Sequence, residues 1–379
     1  MNRSRLIFFL IVSAAIIVVL AGIIMGQAGS NDSNNSSGSG QDKSPIAFTV
    51  AANPLLEDWI SSAAQSFNGR RQQVGGRVIE VQVEVQDGLP VWSSGGVWSP
   101  ADHPLVWIPE MTAAVEYANQ TGLKFSIENP SLASTVMLWG APSDRAQVIQ
   151  TQFSQLDWNS VQQASTTPWD QMGGQAAWGR FFKPGFAQPG RYTSGMAAVL
   201  IAAAEFHNQP LLTAALLNDS AMADWLKPVF ESVPSFATLG VHPAETLAVR
   251  GPSVADAALL PESEWLVNYR GLIDKVDAMI FEYPIYQFWF DFPFALWDDA
   301  EVSAQQRAAA QQFLTFLLTD DQQRRAANLG LRQADGVPAA STLFQQAGLL
   351  TTRPAGEIVE LSLSRSEIVP FVNRNWTAF

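Results

Sequence analysis

The segment Gly190-Arg191-Tyr192-Thr193-Ser194-Gly195 carries the clearest chemistry in the chain, because it stands directly before an alanine-rich stretch, Met196 to Glu205, that reads as a helix. A helix start offers backbone N–H groups without partners and the positive end of the helix dipole. Hydroxyls at Thr193 and Ser194 add to it, so the place suits a carboxylate, a phosphate or another oxyanion. The same two residues also make ordinary N-caps, a role that needs no ligand. Aromatic side chains form the second group. Trp107 and Trp139 lie at or near strand ends, where open α/β sheets receive ligands, and Tyr283 and Tyr286 flank Pro284 in a similar position. Faces of this kind stack on a sugar or hold a cation. The competing reading for much of the aromatic set, above all Phe288, Phe290, Phe292, Phe294 and Trp297, is core packing.

Other reactive residue types point away from catalysis. His103, His207 and His242 are far apart and none stands at metal-ligand spacing, so no metal site is expected. There is no nucleophile elbow, phosphate-binding loop, dinucleotide fingerprint or zinc-protease motif. The acid pairs Glu57-Asp58 and Asp298-Asp299 are adjacent in sequence, diverge on a helix, and read as solvated or capping groups. No catalytic residue and no cofactor is expected.

The elements that must position these residues alternate between strand and helix. Ile46 to Ala52 is a short apolar strand ended by Asn53-Pro54, and apolar residues at helical spacing follow from Pro54 to Asn68. Arg77 to Gln86 alternates as a half-exposed strand; Asp87 to Pro104 reads as a Gly, Pro and Ser-rich loop; Leu105 to Ile108 is a buried strand, with Pro109 opening the next helix. Thr135 to Gly140 is a further strand before a helix from Arg145 to Phe153. Residues 154–275 read as mostly helical, Val276 to Phe281 as a returning strand, and Ser303 with Gln306 as a capping box for a helix to Leu318, followed by another from Asp320. The alternation predicts an α/β fold.

Of the 379 residues, 47% are apolar and only 15% charged, with acids exceeding bases by 13. That surface repels phosphate backbones, so nucleic acid is not an expected partner. Without cysteine there is no disulfide, thiol nucleophile, zinc–thiolate site or lipid-anchor cysteine. At the N-terminus Arg3 and Arg5 precede an uncharged run from Leu6 to Met25. At about 1.5 Å per residue it spans roughly 30 Å, the thickness of a bilayer core. Residues 1–25 are expected to form a transmembrane signal anchor, with a cleaved signal peptide as the alternative; either way the remainder is exported. Residues 26–44, rich in Gly, Ser and Asn, read as a flexible linker.

Several short motifs, taken in order, resemble the bacterial extracellular solute-binding proteins of the type II periplasmic-binding fold, in the branch often joined to von Willebrand A modules. They are the strand, proline turn and helix of Phe48 to Asn68; Trp107-Ile108-Pro109 followed by Tyr117-Ala118-Asn119; Val136 to Ala146; Lys183-Pro184-Gly185 through Ser194-Gly195; Glu282-Tyr283-Pro284; Ala308 to Arg332; and Trp376. No von Willebrand A module is expected within these residues, and the segment Asp87 to Pro100 departs from the family's serine-rich loop. The resemblance implies an α/β, two-lobed periplasmic-binding-protein-like fold, preceded by one N-terminal transmembrane helix. Lobe 1 would comprise residues 45–138 plus 285–379 and lobe 2 residues 139–284, with a small-molecule ligand between them. By position, Asn53, Trp107, Trp139, Thr193, Ser194 and Tyr283 would line the cleft, and the hinge would pass near Gly140 and Glu282. An oxyanion and a sugar both remain open as ligands. The implied function is membrane-anchored solute capture at the cell surface for an ABC-type permease. A sensing or envelope-assembly module on the same fold is the alternative, and an extracytoplasmic hydrolase a third.

Overall fold

In the computed structural model, which describes residues 44–334 and 341–376, the strand and helix patterns form two mixed sheets. The expected anchor, residues 1–25, and the linker as far as Lys43 lie outside the described residues. Among the described residues no helix is long and apolar enough to cross a membrane.

β1 (Ile46–Ala52) lies at the centre of the first sheet, and its last three residues are fully buried. α1 (Glu57–Gly69) covers the sheet through Trp59, Ile60, Ala63, Ala64 and Phe67, the face its apolar spacing defines. β2 (Arg77–Val85) runs parallel to β1, with Val50 opposite Val83. The segment expected as a loop from Asp87 to Pro104 contains instead a short helix, α2 (Gly88–Ser93), capped by the Asp87 side chain. β3 (Val106–Ile108) is parallel to β1 on its other side. The next helix, α3 (Thr112–Asn119), starts beyond Pro109, so this proline ends the strand connection rather than opening the helix. β4 (Phe125–Asn129) completes the first pass.

β5 (Ala133–Pro142) is buried along its whole length and links the two sheets. Its first residues pair with Arg332–Gln333, Thr135 and Val136 pair with Trp289–Phe290, and its last residues belong to the second sheet. There follow α4 (Ser143–Phe153) and α5 (Thr193–His207). Every residue of α5 from Met196 to Ala204 is buried, as a helix apolar all round must be. β6 (Ala257–Pro261) lies inside the stretch expected to be helical. Its run Ala-Ala-Leu-Leu-Pro is a short apolar segment whose period does not separate strand from helix. α6 (Glu262–Ile273) and β7 (Met279–Glu282) complete a sheet of order β7-β5-β6, with Pro184–Gly185 paired outside β6.

The chain then returns. β8 (Phe294–Trp297) enters the first sheet antiparallel to both neighbours, giving the order β2-β1-β3-β8-β4. α7 (Ala304–Leu317) carries the expected capping box of Ser303 and Gln306, and α8 (Asp320–Asn328) follows. The C-terminal segment reaches elements of both sheets' surroundings. Glu360–Leu361 pairs with Leu211–Leu212. In α9 (Arg365–Val372) and just beyond, Arg365 Nε donates to the Trp92 carbonyl at 2.5 Å and Arg374 to that of Leu217 at 3.2 Å. Trp376 stacks on Phe230 with centroids 5.4 Å apart. The described residues from Ser44 onward accordingly form one compact unit.

Candidate functional site

The end of β2 delivers Asp87 to the start of α5. Asp87 Oδ1 accepts the Leu89 N–H at 2.9 Å, capping α2. The same carboxylate accepts Thr193 Oγ1–H at 2.7 Å and lies 3.2 Å from the Thr193 N–H through both oxygens. The anion that the α5 N-terminus was expected to attract is therefore the chain's own Asp87.

Glu110, one residue past Pro109, lies behind it. Glu110 Oε2 accepts the Gly88 N–H at 3.1 Å and Asn53 Nδ2–H at 3.4 Å. Asn53 is held in turn by its own N–H on the Ile108 carbonyl and by its Oδ1, which takes the Leu55 N–H at 3.0 Å. Gly88 is required here, since a Cβ would stand 2.2 Å from Glu110 Oε2. Burial, aided by the neighbouring Asp87 carboxylate, pushes the Glu110 carboxyl up to about 8. Burial also raises Asp87, but the bonds from Thr193 and Leu89 oppose it by favouring the charged form. The two carboxyls oppose each other's ionisation, and the hydrogen bonds and helix N-terminus at Asp87 favour its charged form over that of Glu110.

Asn53, Asp87, Thr193, Ser194, His242 and Phe290 line a tight cavity of about 10 Å³, close to the room one water needs. Pro54, Leu55 and His242 also line a wider cavity of about 410 Å³ that opens to solvent. Of the sequence-derived residues, Asn53, Thr193 and Ser194 thus come together at one wall. Trp107 is fully buried within the first sheet's packing, against Trp98 and Phe125, and Trp139 within the second's, against Trp158. Tyr283 donates its hydroxyl to Glu262, which Arg332 also grips through Nε at 2.7 Å and Nη2 at 2.8 Å. Both Glu262 and Arg332 are fully buried, so this cluster ties the start of α6 to the strand 332–333. At the expected hinge, a Cβ on Gly140 would meet Trp265 at 2.7 Å, which explains the glycine. Glu282 accepts from Gln150 and, at 2.8 Å, from the Leu156 N–H.

Comparison with known proteins bears on the fold. No family model matches the chain. The uncharacterized protein Rv1836c of Mycobacterium tuberculosis strain H37Rv is 26% identical over 392 residues, covering 94% of this chain and 53% of its own length. The chain thus spans about half the length of the curated relatives it matches. Among solved structures, the sulfate-binding protein SubI of Mycobacterium tuberculosis H37Rv superposes with a TM-score of 0.53 at 16% identity, covering 86% of this chain and 98% of SubI. The periplasmic binding protein AfuA of Actinobacillus pleuropneumoniae, with fructose-6-phosphate bound, gives a TM-score of 0.51 at 12% identity, covering 82% of this chain and 92% of AfuA. The fold is that of the periplasmic solute-binding proteins.

Within this binding-protein fold, three participants escaped sequence reasoning. Asp87 and Glu110 were absorbed into a loop and a proline turn, although Asp87-Gly88-Leu89-Pro90 has the form of an N-cap before a helical first turn. His242, set aside as an isolated histidine, is brought to the cavity wall by the turn before Pro243. No local pattern in the sequence pairs it with Asn53.

Proposed function

We propose that this protein is a membrane-anchored extracellular solute-binding protein that captures a small molecule in the cleft between two lobes and delivers it to an ABC-type permease, without catalysing a reaction. The lobes are residues 45–138 plus 285–379 and residues 139–284, with the hinge near Gly140 and Glu282. Asn53, Thr193 and Ser194 are the binding residues closest to the guest; Trp107, Trp139 and Tyr283 serve it from behind, by shaping the walls. The N-terminal run Leu6 to Met25 supplies the anchor. One observation carries the reading: Asn53 and Asp87 of one half and Thr193 and Ser194 of the other line a single cavity. Ligand contacts to both halves select the closed form.

The Asp87–Thr193 contact also supports a second reading, a sensing or assembly module in which the chain's own side chain occupies the clamp. A melting assay against oxyanions, sugars, amino acids, amines and short peptides separates the two. A rise in melting temperature with one ligand class supports capture. An unchanged melt with every class, together with an empty cleft in native mass spectrometry, overturns it.

A further inference from the structure

The wider cavity has an unusual lining. Glu57 and Asp58 at the start of α1 face Glu245, Glu264 and His242 across it, and no lysine or arginine is among its lining residues. Glu264 is only 5% exposed. One of its oxygens accepts the Ala244 N–H at 2.8 Å, while Oε2 is buried with no hydrogen-bond partner among the described residues. The neighbouring Ser263 hydroxyl, 3% exposed, likewise has none. A buried carboxyl oxygen without a hydrogen-bond partner is costly, and a polar group entering the cavity removes that cost.

We propose that this acidic mouth receives an organic cation, a small molecule bearing more than one ammonium or guanidinium group, with Glu264 as its innermost acceptor and Glu57, Asp58 and Glu245 as the outer ones. The proposal rests on the reading of the cleft as a solute site and names the class of solute. An oxyanion is disfavoured because Asp87 already fills the α5 N-terminus and the lining offers no basic side chain. A sugar lacks an exposed platform, since Trp59, the one tryptophan among the lining residues, is only 1% exposed, and Trp107 and Trp139 are fully buried. Among the described residues no group of three or more acids and histidines converges to hold a metal ion. The carboxyls are spread around a cavity of about 410 Å³ instead, which suits separated cationic centres on one molecule. Burial lifts the Glu264 carboxyl to about 8, with nearby Glu245 adding to the rise, so an arriving ammonium displaces its proton.

The test is calorimetric titration of the full-length chain with spermidine, alongside sulfate, glucose and a neutral dipeptide. Glu264→Gln keeps the acceptor for the Ala244 N–H, and the double variant Glu57→Gln/Glu245→Gln removes two outer carboxyls from the rim. Expected is spermidine binding that weakens roughly tenfold or more in Glu264→Gln, weakens in the double variant, and falls with added salt. Spermidine binding equal in wild type and both variants would mean diffuse attraction to an acidic protein and overturns the site. Binding of sulfate, glucose or dipeptide without spermidine overturns the cation class and leaves the receptor reading standing. No binding of any probe overturns both. If Glu264→Gln does not melt cooperatively, the double variant decides alone.

Discussion

Thr193 donates both its hydroxyl, at 2.7 Å, and its backbone N–H, at 3.2 Å, to the carboxylate of Asp87, which stands 106 residues earlier. One side chain thereby caps α2, fills the anion position of α5 and joins the starts of these two helices. In the proposed two-lobed reading it is an internal latch on the cleft.

Removing the latch should both loosen and open the molecule. Asp87→Ala deletes the α2 cap and leaves the Thr193 donors without an acceptor, at a cost of about 1–3 kcal/mol. The expected outcome is a lower unfolding midpoint together with a larger radius of gyration by small-angle scattering. Sulfate should raise the melting temperature of this variant more than that of the parent, because the vacated helix start again offers its N–H groups. No response to sulfate would show that Asp87 is merely a cap.

Stability should fall as pH rises. Glu110, Glu205 and Glu264 are each pushed up to about 8 in the folded chain, mainly by burial. A carboxyl in the unfolded chain loses its proton near pH ~4.3, so between that point and pH 8 the folded state holds protons the unfolded state has lost. These three groups thus contribute stability that is complete below about pH 4 and is lost as pH rises through 8, on the order of several kcal/mol in all. Urea unfolding at pH 5 and pH 8.5 measures the difference, and Glu205→Gln should flatten the dependence.

Arg332→Met should be severe. It strands the fully buried Glu262 and frees the carbonyl of Leu350, which Arg332 holds at 2.9 Å. Breaking one partner of a buried pair costs about 3–5 kcal/mol. Adding Glu262→Gln should restore part of that loss, as a double-mutant cycle by chemical denaturation would report.

Gly195→Ala tests the seat of α5. Its methyl would stand 2.3 Å from the Ala187 carbonyl oxygen, so the helix start must shift. A loss of about 1–3 kcal/mol is expected, with Asp87→Ala less than additive on top of it, because both act on the same first turn.

Much of the fold was legible because local rules and tertiary packing agreed. The apolar spacing of Trp59, Ile60, Ala63 and Phe67 fixed the buried face of α1, and Ser303 with Gln306 marked the start of α7. At the site, only Asn53, Thr193 and Ser194 were both foreseen and brought together. Trp107 and Trp139 occupied the sequence positions that ligand contacts would, yet side-chain direction sent them inward. A strand end fixes where a residue stands but not which face its ring covers.

By itself the sequence determined an α/β chain with an acidic, cysteine-free body, and a helix start before Met196 chemically ready for an anion. Hydrophobic period, capping residues and charge count are local properties, and they survive without knowledge of the neighbours. Only the tertiary structure decided which anion that would be. Asp87 reaches Thr193 across 106 residues of sequence, and Glu264 keeps an unpaired oxygen at a cavity lined by residues of both α1 and α6. Such contacts depend on the relative placement of elements far apart in sequence, a property of the packed chain that no local pattern encodes.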